Sequence, residues 1–256
     1  MRVVQLSDLH LAPQPLYSGI DPWLAWRQAL NRVASLLPRP DLLLLTGDLA
    51  DDGAAETYRR LADSLAMAAY PYALIPGNHD DRRALRSAFP DQSWSHEKLA
   101  CQRVDRGDFT FLLLDTLIPG QEGGKLGAEH LAWLDSRCPD DRRVILALHH
   151  PPFMIGIAGM DAIRCAGSDL LAAWLHDHPH VEAVLCGHVH RPVTTLFAHR
   201  PALTAPSTVH QIALQDGPLA WTPEPGGLLV HDCLPGQPLR THYLPLAQAP
   251  VSIYSD

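Results

Sequence analysis

Residues 41–48 read Asp-Leu-Leu-Leu-Leu-Thr-Gly-Asp. The leucine run has strand length and no polar alternation, the pattern of a strand covered on both faces. It stops at Thr46, then at a glycine that frees the backbone to turn, then at the carboxylate of Asp48. The same grammar recurs along the chain. Residues 2–6 (RVVQL) lead into Ser7-Asp8-Leu9-His10, and 72–75 (YALI) into Pro76-Gly77-Asn78-His79-Asp80. Residues 143–148 (RVILAL) lead into His149-His150-Pro151-Pro152, and 181–186 (VEAVLC) into Gly187-His188-Val189-His190. A further apolar run occupies 109–114 (FTFLLL). Between the runs, Trp26, Leu30, Val33 and Leu37 keep helical spacing up to Pro38, from a start at Asp21-Pro22. Tyr58, Leu61, Leu65 and Ala68 repeat that spacing up to Pro71, and Leu170, Leu171, Trp174 and Leu175 follow Ser168-Asp169. Such stripes read as the core-facing sides of amphipathic helices. Strands alternating with helices predict a layered α/β fold. After residue 200 the pattern changes to strands at 202–206, 227–233 and 239–244, separated by turns rich in Pro and Gly. The expectation is a single domain over 1–256, with 200–256 forming a mainly β, C-terminal part of a second sheet.

The composition narrows the function. Of 256 residues 46% are apolar, the level of an ordinary globular chain, and no apolar stretch reaches the length of a membrane span. The net charge is -8, only Lys98 and Lys125 are lysines, and no basic run occurs. A nucleic-acid polymer is therefore not expected as partner. Five cysteines, odd in number and without close pairing, argue against a disulfide framework or a thiolate zinc site. Residues 1–10 carry Asp8 and His10 where a secretion signal needs an apolar centre. A cytoplasmic location is the expectation. The unusual feature is fifteen histidines, since neutral imidazole is the commonest metal ligand.

The five polar strand ends carry the chemistry. Ligands of open α/β sheets bind beyond the carboxyl ends of the strands, so these ends are expected to converge. Imidazole and carboxylate donors without thiolate suit divalent ions such as Fe, Mn, Zn or Co. In Asp8-x-His10 and His188-x-His190, an extended backbone would point both side chains the same way. The carboxylate of Asp48 is able to bridge two ions. Each fragment alone also has a plain structural reading as a turn or a surface pair; five in order, each closing an apolar run, do not.

Taken together, Asp8-x-His10, Gly47-Asp48, Gly77-Asn78-His79-Asp80, His149-His150 and Gly187-His188-x-His190 resemble the motif set of the calcineurin-like metallophosphoesterase superfamily. The resemblance implies a four-layer αββα sandwich of two mixed β-sheets flanked by helices, with a dinuclear metal site at the strand carboxyl ends. It implies that Asp8, His10, Asp48 and His190 hold one metal and that Asp48, Asn78, His149 and His188 hold the other. Fe and Mn are the metals first expected, with Zn or Co as alternatives. His79 would contact the phosphate and protonate the leaving group. One of His149 and His150 should face the metals; strand alternation and the Pro that follows in related phosphatases favour His149. Asp115-Thr116-Leu117-Ile118-Pro119-Gly120, Gly124-x-Leu126, Leu131 to Leu134, and Ala205-Pro206-Ser207-Thr208 with Gln211 are similar to segments of class III cyclic-nucleotide phosphodiesterases. These are less specific than the metal set.

The activity so implied is hydrolysis of a phosphodiester, with 3′,5′-cyclic AMP going to 5′-AMP by attack of a hydroxide held between the metals. A glycerophosphodiesterase or broad phosphodiesterase with the same chemistry is the alternative, and a non-catalytic scaffold the outsider. The expected partner is a small-molecule phosphodiester, and a homodimer is implied by resemblance only. No residue cluster in the sequence can be assigned to a nucleobase. Asp80 and Asp81 read as solvated or helix-capping, Cys186 as a core thiol, Arg191 as either surface or phosphate-facing, and His210 as a candidate pocket residue beside Ser207-Thr208.

Overall fold

A computed structural model describes residues 1–254. The chain runs β1 (Arg2–Leu6), α1 (Pro22–Ala34), β2 (Leu42–Thr46), α2 (Ala55–Ala68), β3 (Tyr72–Ile75) and α3 (Arg82–Ala88). It continues through β4 (Gln102–Arg106), β5 (Phe109–Leu114), α4 (Ala128–Arg137), β6 (Arg143–Leu148), α5 (Ala158–Ala162), α6 (Ser168–Asp177) and β7 (Val181–Cys186). Strands β8 (Val193–Phe197), β9 (Arg200–Thr204), β10 (Gln211–Ile212), β11 (Trp221–Thr222), β12 (Gly227–Asp232) and β13 (Arg240–Pro245) complete it.

Two sheets face each other, in the orders β13-β12-β1-β2-β3 and β4-β5-β6-β7-β9-β8. Their apolar runs are buried on both sides because successive side chains go to different layers. In β2, Leu43 and Leu45 pack against α1 and α2, while Leu42 and Leu44 face the other sheet. In β5, Leu112 and Leu114 pack with Trp133 of α4 and Leu171 of α6, while Phe111 and Leu113 point inward. Helices therefore cover both outer faces, giving the expected αββα layers. Gln5 ties the sheets through the middle, donating to Thr46 Oγ1 (3.0 Å) and to the Cys186 carbonyl (2.9 Å).

Helix α1 starts where expected. Asp21 caps it by accepting from the N–H groups of Trp23 and Leu24, and Pro22 occupies the first turn, where its missing N–H costs nothing. Leu37 does not belong to its stripe: the helix closes at Ser35 and Leu37 is exposed. Leu170 is likewise half exposed on α6, while Leu171, Trp174 and Leu175 are buried.

The placement of the last strands needs correction. Residues 200–256 do not make a part of the second sheet as a block. Only β9, parallel to β7, and its hairpin partner β8 extend that sheet. Strands β12 and β13 return to the first sheet, where β12 pairs antiparallel with β1 from Arg2↔Asp232 to Gln5↔Leu229. The reason is the other edge of β1, which would otherwise present unpaired backbone groups beside β2.

Candidate metal centre

The parallel strands β1, β2 and β3 of one sheet and β6 and β7 of the other deliver their carboxyl ends to one place. Backbone hydrogen bonds continue past the strands and lock the loops there. Asp8 N–H donates to Gly47 O at 3.0 Å, His10 N–H to Asp48 O at 2.9 Å, and Gly187 N–H to His149 O at 3.0 Å. Asp8, His10, Asp48 and His190 lie with one donor atom each within 4.8 Å of one another, all buried. His149, His150 and His188 form a second buried group, and His10, Asp51 and His79 a third. Asn78 reaches the second group, its Oδ1 standing 3.3 Å from His149 Nε2.

The backbone reaches this geometry by a different route from extension. Asp8, His10, Asp48, His188 and His190 all have φ between 45° and 69°, in the left-handed region. Side chains two apart are therefore not aligned by strand alternation: Asp8 and His10 meet in one group, whereas His188 and His190 point into different ones. Gly47, with φ +96°, turns the chain before Asp48. Gly77 serves differently, since a Cβ there would strike the Asp48 carboxylate and His149.

Three of the imidazoles are oriented by the far nitrogen, the arrangement that aims the other at a metal. His149 Nδ1 donates to Thr46 O (2.8 Å) and His190 Nδ1 to His210 O (3.2 Å). His10 Nδ1 donates to Asp51 Oδ1 (2.9 Å). These partners only accept, so in the neutral rings the Nε2 atoms of all three are lone-pair acceptors. The Nε2 atoms of His10 and His190 nevertheless face each other at 2.9 Å. Two acceptors in that position are held together by a cation, either a proton on one ring or a metal ion beside both. His188 Nε2 is buried with no protein partner. His149 Nε2 stands 3.3 Å from Asp48 Oδ2. His150 differs: Thr116 Oγ1 donates to its Nδ1 (2.8 Å) and its Nε2 donates to Glu122 O (3.1 Å), which occupies both nitrogens.

The electrostatics lead the same way. Burial disfavours charge on Asp48, but His149, His10 and His79 hold its carboxyl well below the usual range. Burial also opposes charge on His149, yet Asp48 and Asp8 pull it up to about 9. His188 is pushed down to about 3 by burial and by the neighbouring His149, which outweigh Asp48 and Asp8. A site that draws protons onto buried imidazoles is one that attracts cations. The donor set of carboxylate and imidazole, with no thiolate near it, fits two divalent ions.

His79 stands at the rim with its side chain 40% exposed, Nδ1 3.2 Å from Asp51 Oδ1. Burial lowers its affinity for a proton, but the Asp51 and Asp48 carboxylates outweigh this and raise it to about 9. Its backbone N–H donates to Asp48 Oδ1 at 3.0 Å.

Several residues were misread or missed in the sequence. Asp51 orients both His10 and His79; its only signal was its place three residues after Asp48. Asp80 is not solvated: it is buried and accepts from the N–H groups of Leu49, Ala50 and Gly77 and from Tyr58 Oη. It clamps the loops after β2 and β3 together. Asp81 caps α3 by accepting from Ala84 N–H (2.7 Å). Arg191 faces Glu224 and the Ile212 carbonyl rather than the site. His210 does reach the cavity, 5.0 Å ring to ring from His190, and Tyr17 Oη is 2.7 Å from its Nε2.

The chain is similar to several known proteins. The chain is 34% identical over its whole length to a probable glycerophosphodiester phosphodiesterase GpdQ of Arcobacter nitrofigilis, covering 98% of that protein. It is 32% identical to the 3′,5′-cyclic adenosine monophosphate phosphodiesterase CpdA of Escherichia coli, over 82% of this chain and 77% of that one. In fold it resembles a dimetal phosphatase of Danio rerio, with a TM-score of 0.70 at 14% identity over 96% of both chains. The family model for calcineurin-like phosphoesterases matches residues 1–192, which span every candidate ligand. With the full motif set at one convergent centre, the chain belongs to the calcineurin-like phosphoesterase family.

Proposed function

We propose that the protein is a metal-dependent phosphodiesterase of small phosphodiesters, with 3′,5′-cyclic AMP, opened to 5′-AMP, as the first substrate. The observation that carries a metal-dependent reaction is the opposed Nε2 pair of His10 and His190 between two buried carboxylates. Asp8, His10, Asp48 and His190 would hold one ion; Asp48, Asn78, His149 and His188 the other. His149 is preferred over His150 because both nitrogens of His150 already have partners. Fe and Mn are the metals the family resemblance favours, with Zn or Co as alternatives that the same donors accept. When bound, such a pair supplies positive charge to the phosphoryl oxygens and lowers the pKa of the attacking water.

The protein's own residues do the rest. Hydrolysis adds a water-derived hydroxyl to phosphorus and breaks a P–O bond, and the departing alkoxide must take a proton. His79, its Nδ1 held by Asp51, has Nε2 free to give that proton. Asp51, by holding His10 and His79 together, positions both.

A glycerophosphodiester is the second reading, supported by the identity to the Arcobacter protein over the whole chain. The reading takes 1–256 as one domain, because β12 and β13 complete the sheet that carries Asp8 and Asp48. A cytoplasmic location rests on the five free cysteines. No helix among the described residues is long and apolar enough to cross a membrane. A homodimer rests on resemblance.

The test is hydrolysis by metal-depleted protein with Mn²⁺ restored. The substrates are cyclic AMP, cyclic GMP, 2′,3′-cyclic AMP, a glycerophosphodiester and an aryl phosphomonoester. The expected leader in kcat/KM is 3′,5′-cyclic AMP, with no turnover before metal is added. A glycerophosphodiester in first place moves the second reading forward; turnover of nothing in any metal sinks both.

A further inference from the structure

The cavity above the centre has one wall that the metal chemistry does not use. It encloses about 250 Å³, and besides the imidazoles and carboxylates of the centre it is lined by Tyr17, Met160, Ile163, Ile212 and Leu219, and by Glu122. Met160 and Ile163 belong to α5 and its end. That helix is held firmly, because buried Asp161 accepts from the N–H groups of Ile155 (2.7 Å) and Gly156 (3.1 Å). Leu219 comes from the loop of the small ribbon β10–β11, closed by the bond from Ala213 N–H to Ala220 O (2.8 Å). It packs so near Gly159 of α5 that a side chain there would strike it. On the ribbon itself, Trp221 of β11 lies edge-on to Tyr17 and His210, ring centres 5.7 Å apart in each case.

This wall is aliphatic and partly open. Leu219 is 48% exposed and Tyr17 73%. Scattered exposed apolar residues mean little, but a group of them around a concave site marks a binding surface. We propose that the wall of Tyr17, Met160, Ile163, Ile212 and Leu219 seats a flat aromatic group, such as a nucleobase, carried on one ester arm of the substrate. This rests on the phosphodiesterase reading and names what its substrate carries. Four aliphatic side chains against a single aromatic one suit a neutral planar ring better than an ammonium head group, which seeks several aromatic faces. The Glu122 carboxylate offers an acceptor to an exocyclic amine and repels a second anionic arm. A glycerol arm would leave the apolar wall wet.

The test compares wild type, Leu219→Ser and Ile163→Ser as Mn²⁺-loaded proteins, the two substitutions shortening that wall at partly exposed positions, one on the ribbon loop and one at the end of α5. Kinetics are measured on cyclic AMP and on glycerophosphoethanolamine; binding of adenosine, which has no phosphodiester, is followed by calorimetry. Each substitution should lower the kcat/KM ratio of cyclic AMP to glycerophosphoethanolamine about tenfold, mainly through KM, and weaken adenosine binding about as much, as expected for loss of one buried aliphatic contact. Diester turnover with an unchanged ratio and no adenosine binding overturns the subsite alone. Tighter binding of glycerophosphocholine than of adenosine also overturns it, in favour of an ammonium site. Absence of turnover of every diester overturns the phosphodiesterase reading and the subsite with it.

Discussion

At the scale of single residues the centre is made from strained positions. Among the described residues, five of the eight non-glycine positions at positive φ are candidate metal ligands, and L-residues avoid that region at a cost of about 1 kcal/mol or more each. The strain persists because hydrogen bonds between the loops over-determine it, and it lets side chains two positions apart, His188 and His190, enter different groups of candidate ligands. His79 is the residue whose role is most open to direct measurement. Held by Asp51 and charged near neutrality, it should matter in proportion to the leaving group's need for a proton. His79→Ala is expected to reduce kcat for cyclic AMP about 10²–10⁴-fold. With a nitrophenyl diester, whose phenolate leaves unaided, the loss should be much smaller, and the bound metal counted by elemental analysis should stay at the wild-type level. Equal losses on both substrates would remove His79 from the acid role.

At the scale of elements, what aligns the centre is how loops and helices are tied. Helix α3 follows His79 and is too short to hold itself. Its first residue, Arg82, makes a two-pronged pair with Asp115, which is fully buried, and also donates to Leu117 O at 2.8 Å. Asp115 accepts from Ala100 and Leu117 N–H as well. The segment after β5 is thus anchored to the loop that carries Asn78 and His79. Arg82→Met leaves a buried carboxylate without its cation, and the expected cost is about 3–5 kcal/mol in urea unfolding. A change under 1 kcal/mol would show that the surrounding N–H groups suffice. This tie explains why the sequence was readable only in part. Asp8, Asp48 and His188 follow apolar runs and were visible as strand ends. Asp51, Asp80 and Arg82 act through partners 41, 31 and 33 residues away, and nothing in local spacing marks them. The αβ alternation was likewise legible, because burial on both faces leaves unbroken runs such as Leu42–Leu45. The sheet membership of β12 and β13 was not, because an apolar strand fits either sheet and only the free edge of β1 decides.

At the scale of the whole molecule, the two sheets are joined by a buried polar line that passes beneath the centre. His231 on β12 takes part through both nitrogens, Nδ1 2.8 Å from Thr241 Oγ1 on β13 and Nε2 3.1 Å from Gln5 Oε1 on β1. Gln5 carries the line to Thr46 Oγ1 and to the backbone of Cys186 in the opposite sheet. His231 is fully buried, and burial, against a weaker opposing pull from Asp232, lowers its pKa to about 3. An unfolded chain would titrate this histidine near 6.5. Above that pH neither state binds the proton and His231 adds no pH dependence. Below it the unfolded chain takes up a proton that the folded one refuses, so stability falls as the pH drops from about 6.5 toward 3. The slope belonging to this residue approaches about 1.4 kcal/mol per pH unit. Other buried groups titrate in the same range, so the comparison that isolates it is with His231→Gln, which keeps polar contacts but cannot gain charge. Unfolding free energies of the two proteins, measured by urea titration at intervals from pH 7 to pH 4, should converge as the pH falls, with the wild type losing more. Parallel curves would mean that His231 accepts a proton in place, and that the line joining the sheets tolerates charge.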